Sequence, residues 1–522
     1  MDIDTDNSLI NNEKRDAIVV INFGGQYAHL IARRIRELRA YSIIVNYDSF
    51  SKELLKYINV KAIILSGGPS SVYEENAPTI GRWILDLDIP ILGICYGHQL
   101  LAKLLGGSIK KGKGEFGRVR INIIEHDQLF HGWDKAEYVW MSHDDYVEDI
   151  PNAKILAISE NGYIAAFKIN NKPIYGVQFH PEVKHTKKGI KLFENFLFRI
   201  VKFKPNWFIE NIVDKIIDNI KSIVPRDEKV LVAVSGGVDS TTTAVLVKKA
   251  IGDRLVPVFV NHGLMRENEV EEVLRNLDKV GIKPIYIDAS ERFLSKLEGV
   301  VDCEERRRII GEEFARIFKE IVDKDPSIKW LAQGTTYPDV IESGAVPYSS
   351  KIKSHHNVAG LPEWLKLKVL EPLREFYKDE VRRIALMLGI PKEIVYRHPF
   401  PGPGLAVRII GKFTREKLEI VRKASYIVEQ VLKKHGWYDK VWQAFAVVGD
   451  DKWVGVKGDK RSVGRIIIVR IVESEDGMTA DWARIPHEIL DEIAREIITE
   501  IPQITMVAYS VTTKPPSTIE PC

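Results

Sequence analysis

Three short stretches of this sequence carry residue types able to cleave an amide. Gly93-Ile94-Cys95-Tyr96-Gly97 follows an apolar strand and opens an apolar-periodic helix, 99–105, that Gly106-Gly107 stops. Strand, sharp turn and helix make a nucleophile elbow, with a thiol in the attacking position. The helix N-terminus lowers a thiol pKa and offers backbone donors. His180-Pro181-Glu182 ends a second strand, 174–179. Residues two apart on an extended segment point to one side, so imidazole and carboxylate can face one cleft. The carboxylate would fix the tautomer of an imidazole that accepts the thiol proton. Ser66-Gly67-Gly68-Pro69-Ser70-Ser71 follows a strand ending at Leu65 and can turn a backbone N–H towards an oxyanion. A lone cysteine is more often a buried structural residue, and a lone His-x-Glu a surface pair. Together the three stretches favour cysteine-dependent amide hydrolysis.

A second chemistry begins at residue 230. The strand 230–234 runs into Ser235-Gly236-Gly237-Val238-Asp239-Ser240, and a helix follows over 241–251, capped by Gly252. A glycine turn feeding a helix N-terminus is an anion cradle of free N–H groups, with serine hydroxyls added. It lacks the GKS/T ending of a Walker A loop, which argues against γ-phosphoryl transfer; a bland glycine turn is the alternative. Gly112-Lys113-Gly114-Glu115-Phe116-Gly117 formally matches a dinucleotide fingerprint. It precedes a strand, 119–124, and not a helix, so we read it as a loop.

These groups need a scaffold. Strands at 17–23, 62–65, 91–94, 119–124 and 174–179 alternate with helices such as 29–39, and a helix at 189–201 closes the first unit. After a helix at 208–223 come strands at 230–234, 255–260, 284–287 and 330–333 with helices between them. That rhythm predicts a mainly parallel sheet with ligands beyond the strand C-termini. The Pro/Gly cluster 398–404 is the strongest punctuation in the chain. Beyond it, helices at 415–436 and 486–501 and strands at 465–472 and 505–511 form an α+β module. The expected division is a polar leader, 1–16, then domains at 17–204, 205–404 and 405–522.

Composition bounds the rest. With 522 residues the prior is three to four domains, at about 150 residues each. Lys+Arg 75 against Asp+Glu 72 leaves +3, so no global basic field argues for nucleic acid or an anionic membrane. Cys95, Cys303 and Cys522 make no disulfide framework, and no CxxC or HExxH offers a metal site. Residues 1–16 lack the apolar core of a signal peptide, and no apolar stretch is long enough for a membrane span. A reducing cytoplasm fits these features.

Asn22–Tyr27, Ser66–Ser71, Gly93–Gln99 and Val177–Glu182 resemble the class I glutamine amidotransferases. The resemblance implies a flavodoxin-like domain with Cys95 as nucleophile, His180 as base and Glu182 as its orienter. It also implies an oxyanion hole at Gly68 and Tyr96, and glutamine held by Gln99 and Asp145. Ser235, Gly236, Gly237, Val238, Asp239 and Ser240 resemble the pyrophosphate loop of N-type ATP pyrophosphatases, implying ATP binding with Mg²⁺ at Asp239. Motifs from about residue 18 to 520, among them 259–266, 304–311, 331–339, 354–357, 397–405 and 514–520, resemble the glutamine-hydrolysing GMP synthetase family. The implied reaction adenylates the C2 oxygen of xanthosine 5′-monophosphate (XMP) with ATP, after which ammonia displaces AMP. Arg307, Gln443, Asp459, Lys514 and Glu520 would contact XMP, no organic cofactor is needed, and the C-terminal domain would form a homodimer. Arg306–Arg308 read alone could be a solvated helix face. Lys351, Lys353, His355, His356, Lys366 and Lys368 lie in a stretch without periodicity, expected to act as a lid. Asn261, Cys303, Met506 and the Pro521-Cys522 ending depart from the family pattern; the cysteine at 303 is expected to matter little. Two rival readings are a similar fusion with another acceptor, such as the NAD-synthesis carboxylate, and a non-catalytic relative.

Overall fold

In a computed structural model, residues 15–25, 27–342, 363–474, 477, 479–514 and 516–522 are described. They fall in two compact units, one drawn from Met1–Asn211 and Pro338–Val358, the other from Ile212–Tyr337 and Ala359–Cys522. The residues on either side of the Pro/Gly cluster 398–404 therefore belong to the same unit.

The first unit is built on nine strands: β1 (Asp16–Asn22), β2 (Ser42–Asn46), β3 (Asn59–Leu65), β4 (Ile91–Ile94), β5 (Ser108–Ile123), β6 (Ala136–Asp149), β7 (Ala153–Ser159), β8 (Ile164–Ile169) and β9 (Ile174–Val177). Their order is β2-β1-β3-β4-β9-β8-β7-β5-β6. The first five are parallel and the rest antiparallel. The parallel strands are buried runs such as Ile18–Ile21, as sheets covered on both faces require. Helices α1 (Ala28–Glu37), α2 (Tyr96–Leu104) and α3 (Gly189–Asn195) belong to this unit. The stretch 112–117 is not a loop, as its glycines suggested. It lies inside the 16-residue strand β5, where a register shift between Lys111 and Glu115 absorbs the glycines.

The second unit holds α4 (Ile212–Ile223), β10 (Lys229–Ala233), α5 (Val238–Ile251), β11 (Leu255–Asn261), α6 (Glu269–Lys279), β12 (Ile285–Asp288), α7 (Ser290–Leu297), α8 (Cys303–Lys324), β13 (Ile328–Ala332), β14 (Lys368–Leu370) and α9 (Lys378–Met387). Its sheet runs β12-β11-β10-β13-β14, all parallel. Strand order reverses at β10, which places a crevice beyond its C-terminal end. The remainder is α10 (Arg415–Lys434), the long hairpin β15 (Gln443–Lys457) and β16 (Lys460–Glu473), β17 (Asp481–Trp482), α11 (His487–Glu500) and β18 (Ile504–Tyr509). One core runs through both parts, from Leu231, Val258 and Ile317 to Leu405, Val421, Val448, Ile467 and Ile493. Here the Pro/Gly cluster is packed in: His398 stacks on Tyr438 with ring centroids 3.7 Å apart.

The expectation for the cysteines changes as well. Cys303 and Cys522 form a disulfide, so only Cys95 is free among the three cysteines. The pairing is invisible to spacing because 219 residues separate the two. Of the expected lid, Lys351, Lys353, His355 and His356 lie outside the described residues. Lys368 instead opens β14 and pairs with Glu228 at 3.5 Å. No helix among the described residues is long and apolar enough to cross a membrane.

Candidate active sites

Backbone contacts force the elbow at Cys95. Its φ is +53°, a region that non-glycine residues enter at a cost. The Cys95 N–H donates to the Val177 carbonyl at 2.9 Å, tying the turn to β9. A Cβ on Gly97 would stand 2.3 Å from the Leu65 carbonyl oxygen, and one on Gly93 2.4 Å from that of Gly97. Only glycine admits so tight a turn.

The C-terminal ends of β3, β4 and β9 bring the other groups to the thiol. A Cβ built on Gly67 would lie 3.2 Å from His180 Cε1 and 3.7 Å from Cys95 Cβ, so loop, imidazole and thiol meet at one point. His180 Nδ1 pairs with Glu182 Oε1 at 2.6 Å, and both residues are buried. Tyr27 sets its ring edge-on to the imidazole, with centroids 5.2 Å apart. Burial alone would push the His180 pKa down, but the charges of Glu182 and Cys95 outweigh it and hold the imidazolium well above the ordinary value. Gly68 and Tyr96 are neighbours: a Cβ on Gly68 would lie 3.3 Å from Tyr96 Cγ. Gln99 Nε2 donates to the Asp145 carbonyl at 2.8 Å, and Ser71 Oγ donates to the Asp145 carboxylate at 2.5 Å. All seven expected residues of this centre thus converge. The arrangement can deprotonate a thiol, orient the base and hold a charged amino acid.

The His180 pKa direction has a consequence for stability. A proton held more tightly in the folded state stabilises it fully below about pH 6.5, the unfolded value, and less as pH rises through the native pKa. In Glu182→Gln the carboxylate charge is gone. The expected result is a lower His180 titration by NMR, a flatter loss of stability above pH 6.5, and a thiol-dependent amide hydrolysis slower by on the order of 10²-fold. An unchanged His180 titration would remove Glu182 from its assigned role.

One buried pair escaped the sequence reading. His143 Nδ1 donates to the Asp145 carbonyl at 2.8 Å, while Nε2 lies 3.1 Å from Glu115 Oε2. Burial opposes ionisation of Glu115, yet hydrogen bonds from His143, Ser159 and Asn161 hold its carboxyl below the usual range. Glu115 sits in the stretch read as a loop, where its inward orientation has no signal.

In the second unit, β10 feeds the serine–glycine loop and α5 begins at Val238. Gly236 takes φ +77°. The Ser240 hydroxyl is 3.0 Å from that of Ser235, accepts from the Ser235 N–H at 3.1 Å and donates to the Gly237 carbonyl at 3.2 Å. This ring of short contacts shapes the cradle. Asp239 pairs through Oδ2 with Lys378, while its Oδ1 is buried without a partner. A lone carboxylate oxygen is hard oxygen-donor chemistry suited to Mg²⁺. Lys378 and Arg382, one turn apart on α9, were not foreseen. Burial lowers the Arg382 pKa and Asp239 opposes that shift.

The XMP candidates divide. Gln443 Nε2 donates to Glu520 Oε1 at 2.6 Å. Glu520 also accepts from Nη2 and Nε of the buried Arg408, at 2.9 and 3.1 Å. Arg307 donates to the Cys522 carbonyl oxygen at 2.6 Å. Lys514 donates to the Gly477 carbonyl at 2.8 Å. Asp459 does not join them; it sits with φ +60° at the exposed turn between β15 and β16. Gln443 opens β15, so at about 3.3 Å per residue Asp459 is roughly 50 Å further along the hairpin. The arginine triplet also divides. Arg306 is fully buried and donates to the Ala406 and Ile409 carbonyls at 3.0 and 2.6 Å, whereas Arg308 is exposed between Glu305 and Glu312. Asn261 keeps a turn role, its Oδ1 accepting from the Gly263 N–H at 3.0 Å.

A thiol elbow on a 2-1-3-4 parallel sheet and a phosphate loop at a parallel-sheet switch point define a glutamine amidotransferase joined to an ATP pyrophosphatase. Comparison with known proteins agrees. The family "Glutamine amidotransferase class-I" matches residues 19–200, "NAD synthase" matches 208–317, and "GMP synthase C terminal domain" matches 430–521. The glutamine-hydrolysing GMP synthase of Pyrobaculum aerophilum is 61% identical over 97% of this chain and 100% of its own length. That of Aquifex aeolicus is 51% identical over 97% and 99%. The chain belongs to the family of glutamine-hydrolysing GMP synthases.

Proposed function

We infer that the chain makes GMP by ATP-dependent amination of XMP, with ammonia drawn from glutamine and with AMP and pyrophosphate released. The 61% identity across the full length of the Pyrobaculum relative carries this reading. The NAD synthase match stops at residue 317, whereas the C-terminal match is to GMP synthase, which favours the purine acceptor.

Cys95 attacks the glutamine amide carbon, and His180 takes the thiol proton and returns it to the leaving ammonia. Glu182 holds His180 through Nδ1. The Gly68 and Tyr96 N–H groups face the oxyanion, while Gln99 and Asp145 hold the amino-acid end of glutamine. Residues 235–240 and the head of α5 cradle ATP phosphates. Asp239, with Ser235 and Ser240, would hold Mg²⁺, which supplies charge neutralisation on the polyphosphate when bound. A purine carbonyl oxygen is a poor leaving group, and adenylation turns it into AMP. Arg307 and Lys514 suit the XMP phosphate, and Gln443 and Glu520 suit a purine edge. Three tasks fit segments 17–204, 205–404 and 405–522.

A homodimer through the C-terminal segment is part of the proposal. Asp459 is too far along its own hairpin to meet Gln443, so it reaches an XMP site only in a second copy. The exposed Trp453, Val454, Val456 and Val463 near that tip suit an interface. Sedimentation at twice the 59.4 kDa chain mass is expected. The nucleotide substrates support a cytoplasmic place of action.

The deciding assay follows XMP by ultraviolet absorbance with ATP and Mg²⁺, supplying glutamine or ammonium. GMP should form with either donor. Amination of a nicotinate-type carboxylate in place of XMP would overturn the reading.

A further inference from the structure

The segment that carries Glu520 has almost no secondary structure to place it. Among the described residues of 510–522, the bridge between Lys514 and Ala480 is the one regular pairing. Point contacts do the rest. Arg470 donates to the Thr512 and Thr518 carbonyls at 2.5 and 3.3 Å. Arg408 grips Glu520, and Arg307 reaches the Cys522 carbonyl. The last anchor is covalent. Cys522 is bonded to Cys303, the first residue of α8, with Cα atoms 5.8 Å apart, a span that a disulfide bridges without moving the backbone. Cys303 lies one helical turn before Arg307 on the same face. Glu520 is two residues from Cys522, hence within about 7 Å of it. Both cysteines stand where the sequence departs from the pattern it resembles, and the two departures make one bond.

We propose that the Cys303–Cys522 disulfide is a positioning device for the XMP site, holding Glu520 against Arg408 and Gln443 and the Cys522 carbonyl against Arg307. The proposal rests on the GMP synthase reading. Neither cysteine is placed on substrate; both act through Glu520 and Arg307. The bond is only partly buried, so a small dithiol reaches it. A thiolate of the dithiol attacks one sulfur and the S–S electron pair leaves on the other. The second thiol then closes the reductant's own disulfide. Cys303 and Cys522 gain two electrons and two protons, and the dithiol loses them. Freed from α8, the segment spends less time in the geometry that reads XMP.

The test uses the full chain with ammonium as nitrogen donor, so that the state of Cys95 does not enter. Purified without reductant and denatured, the chain should present one titratable thiol, and three after dithiothreitol; three at the outset would overturn the proposal. Reduction should raise KM for XMP about tenfold or more, as the segment's effective concentration falls. KM for ATP should stay within about twofold, and reoxidation should restore the original value. Cys303→Ser should match the reduced enzyme and ignore dithiothreitol. A purely stabilising crosslink would leave KM for XMP unmoved, and that result, or a fall in KM on reduction, overturns the proposal alone. No amination of XMP in either state would overturn the GMP synthase reading and this one with it.

Discussion

Cys95→Ala is expected to abolish GMP formation from glutamine, by at least about 10⁴-fold, while formation from ammonium stays within about twofold of the native rate. The first figure follows from what nucleophile removal does to a triad that works as a unit. No other group among the described residues near His180 can form the thioester, since Cys95 is the only free cysteine there. The second figure follows from separation. Cys95 belongs to the first compact unit, whereas residues 235–240, Gln443 and Glu520 belong to the second. Alanine also disturbs the elbow little. It keeps the Cys95 N–H that donates to Val177, and it sits at φ +53° no worse than cysteine. The thermal transition should therefore move by no more than a few degrees. Parallel assays with glutamine and with ammonium measure both outcomes on one preparation. Loss of both activities in a folded variant would mean that the two chemistries share a centre.

How far the sequence foretold this arrangement depended on whether the backbone announced the geometry. Gly93 and Gly97 bracket Cys95 because a Cβ at either place would strike a carbonyl, so the elbow is written in glycines. His180 and Glu182 lie two apart just beyond β9, which ends at Val177 and not at residue 179 as expected, and their pairing needs no distant partner. Ser235–Ser240 is likewise local, its hydroxyls closing on each other over five residues. Contacts made by distant chain segments left no such trace. Lys378 reaches Asp239 across 139 residues. Glu115 turns inward to His143 from a strand whose glycines imitate a loop. Arg306 and Arg307 are adjacent in sequence, yet one is buried among carbonyls and the other meets Cys522, because successive helix residues point about 100° apart. The pairing of Cys303 with Cys522 is the extreme case, since only the folded second unit brings α8 and the end of the sequence together.

The same contrast gives the second large effect. Asp239→Asn should depress GMP formation from glutamine and from ammonium alike, by about 10³-fold, and should leave basal glutamine hydrolysis near its native rate. Asparagine preserves shape and hydrogen-bonding oxygen, so the cradle formed by Ser235, Gly237 and Ser240 persists. The negative charge is lost, and one of the two oxygens becomes an N–H₂ donor that cannot bind a cation, which weakens a site suited to a hard ion. Loss of one anchor for charge neutralisation on a transferring phosphoryl-type group commonly costs several kcal/mol. The substitution also strands Lys378, whose ammonium pairs with Asp239 in a partly buried setting. That side effect costs about 1–2 kcal/mol of stability, between the values for exposed and buried pairs. A double variant, Asp239→Asn with Lys378→Met, separates the two consequences. Stability should return while pyrophosphate release from ATP and XMP remains lost. Recovery of pyrophosphate release in the double variant would make Asp239 a structural counter-ion and would move the metal to other oxygens of the loop.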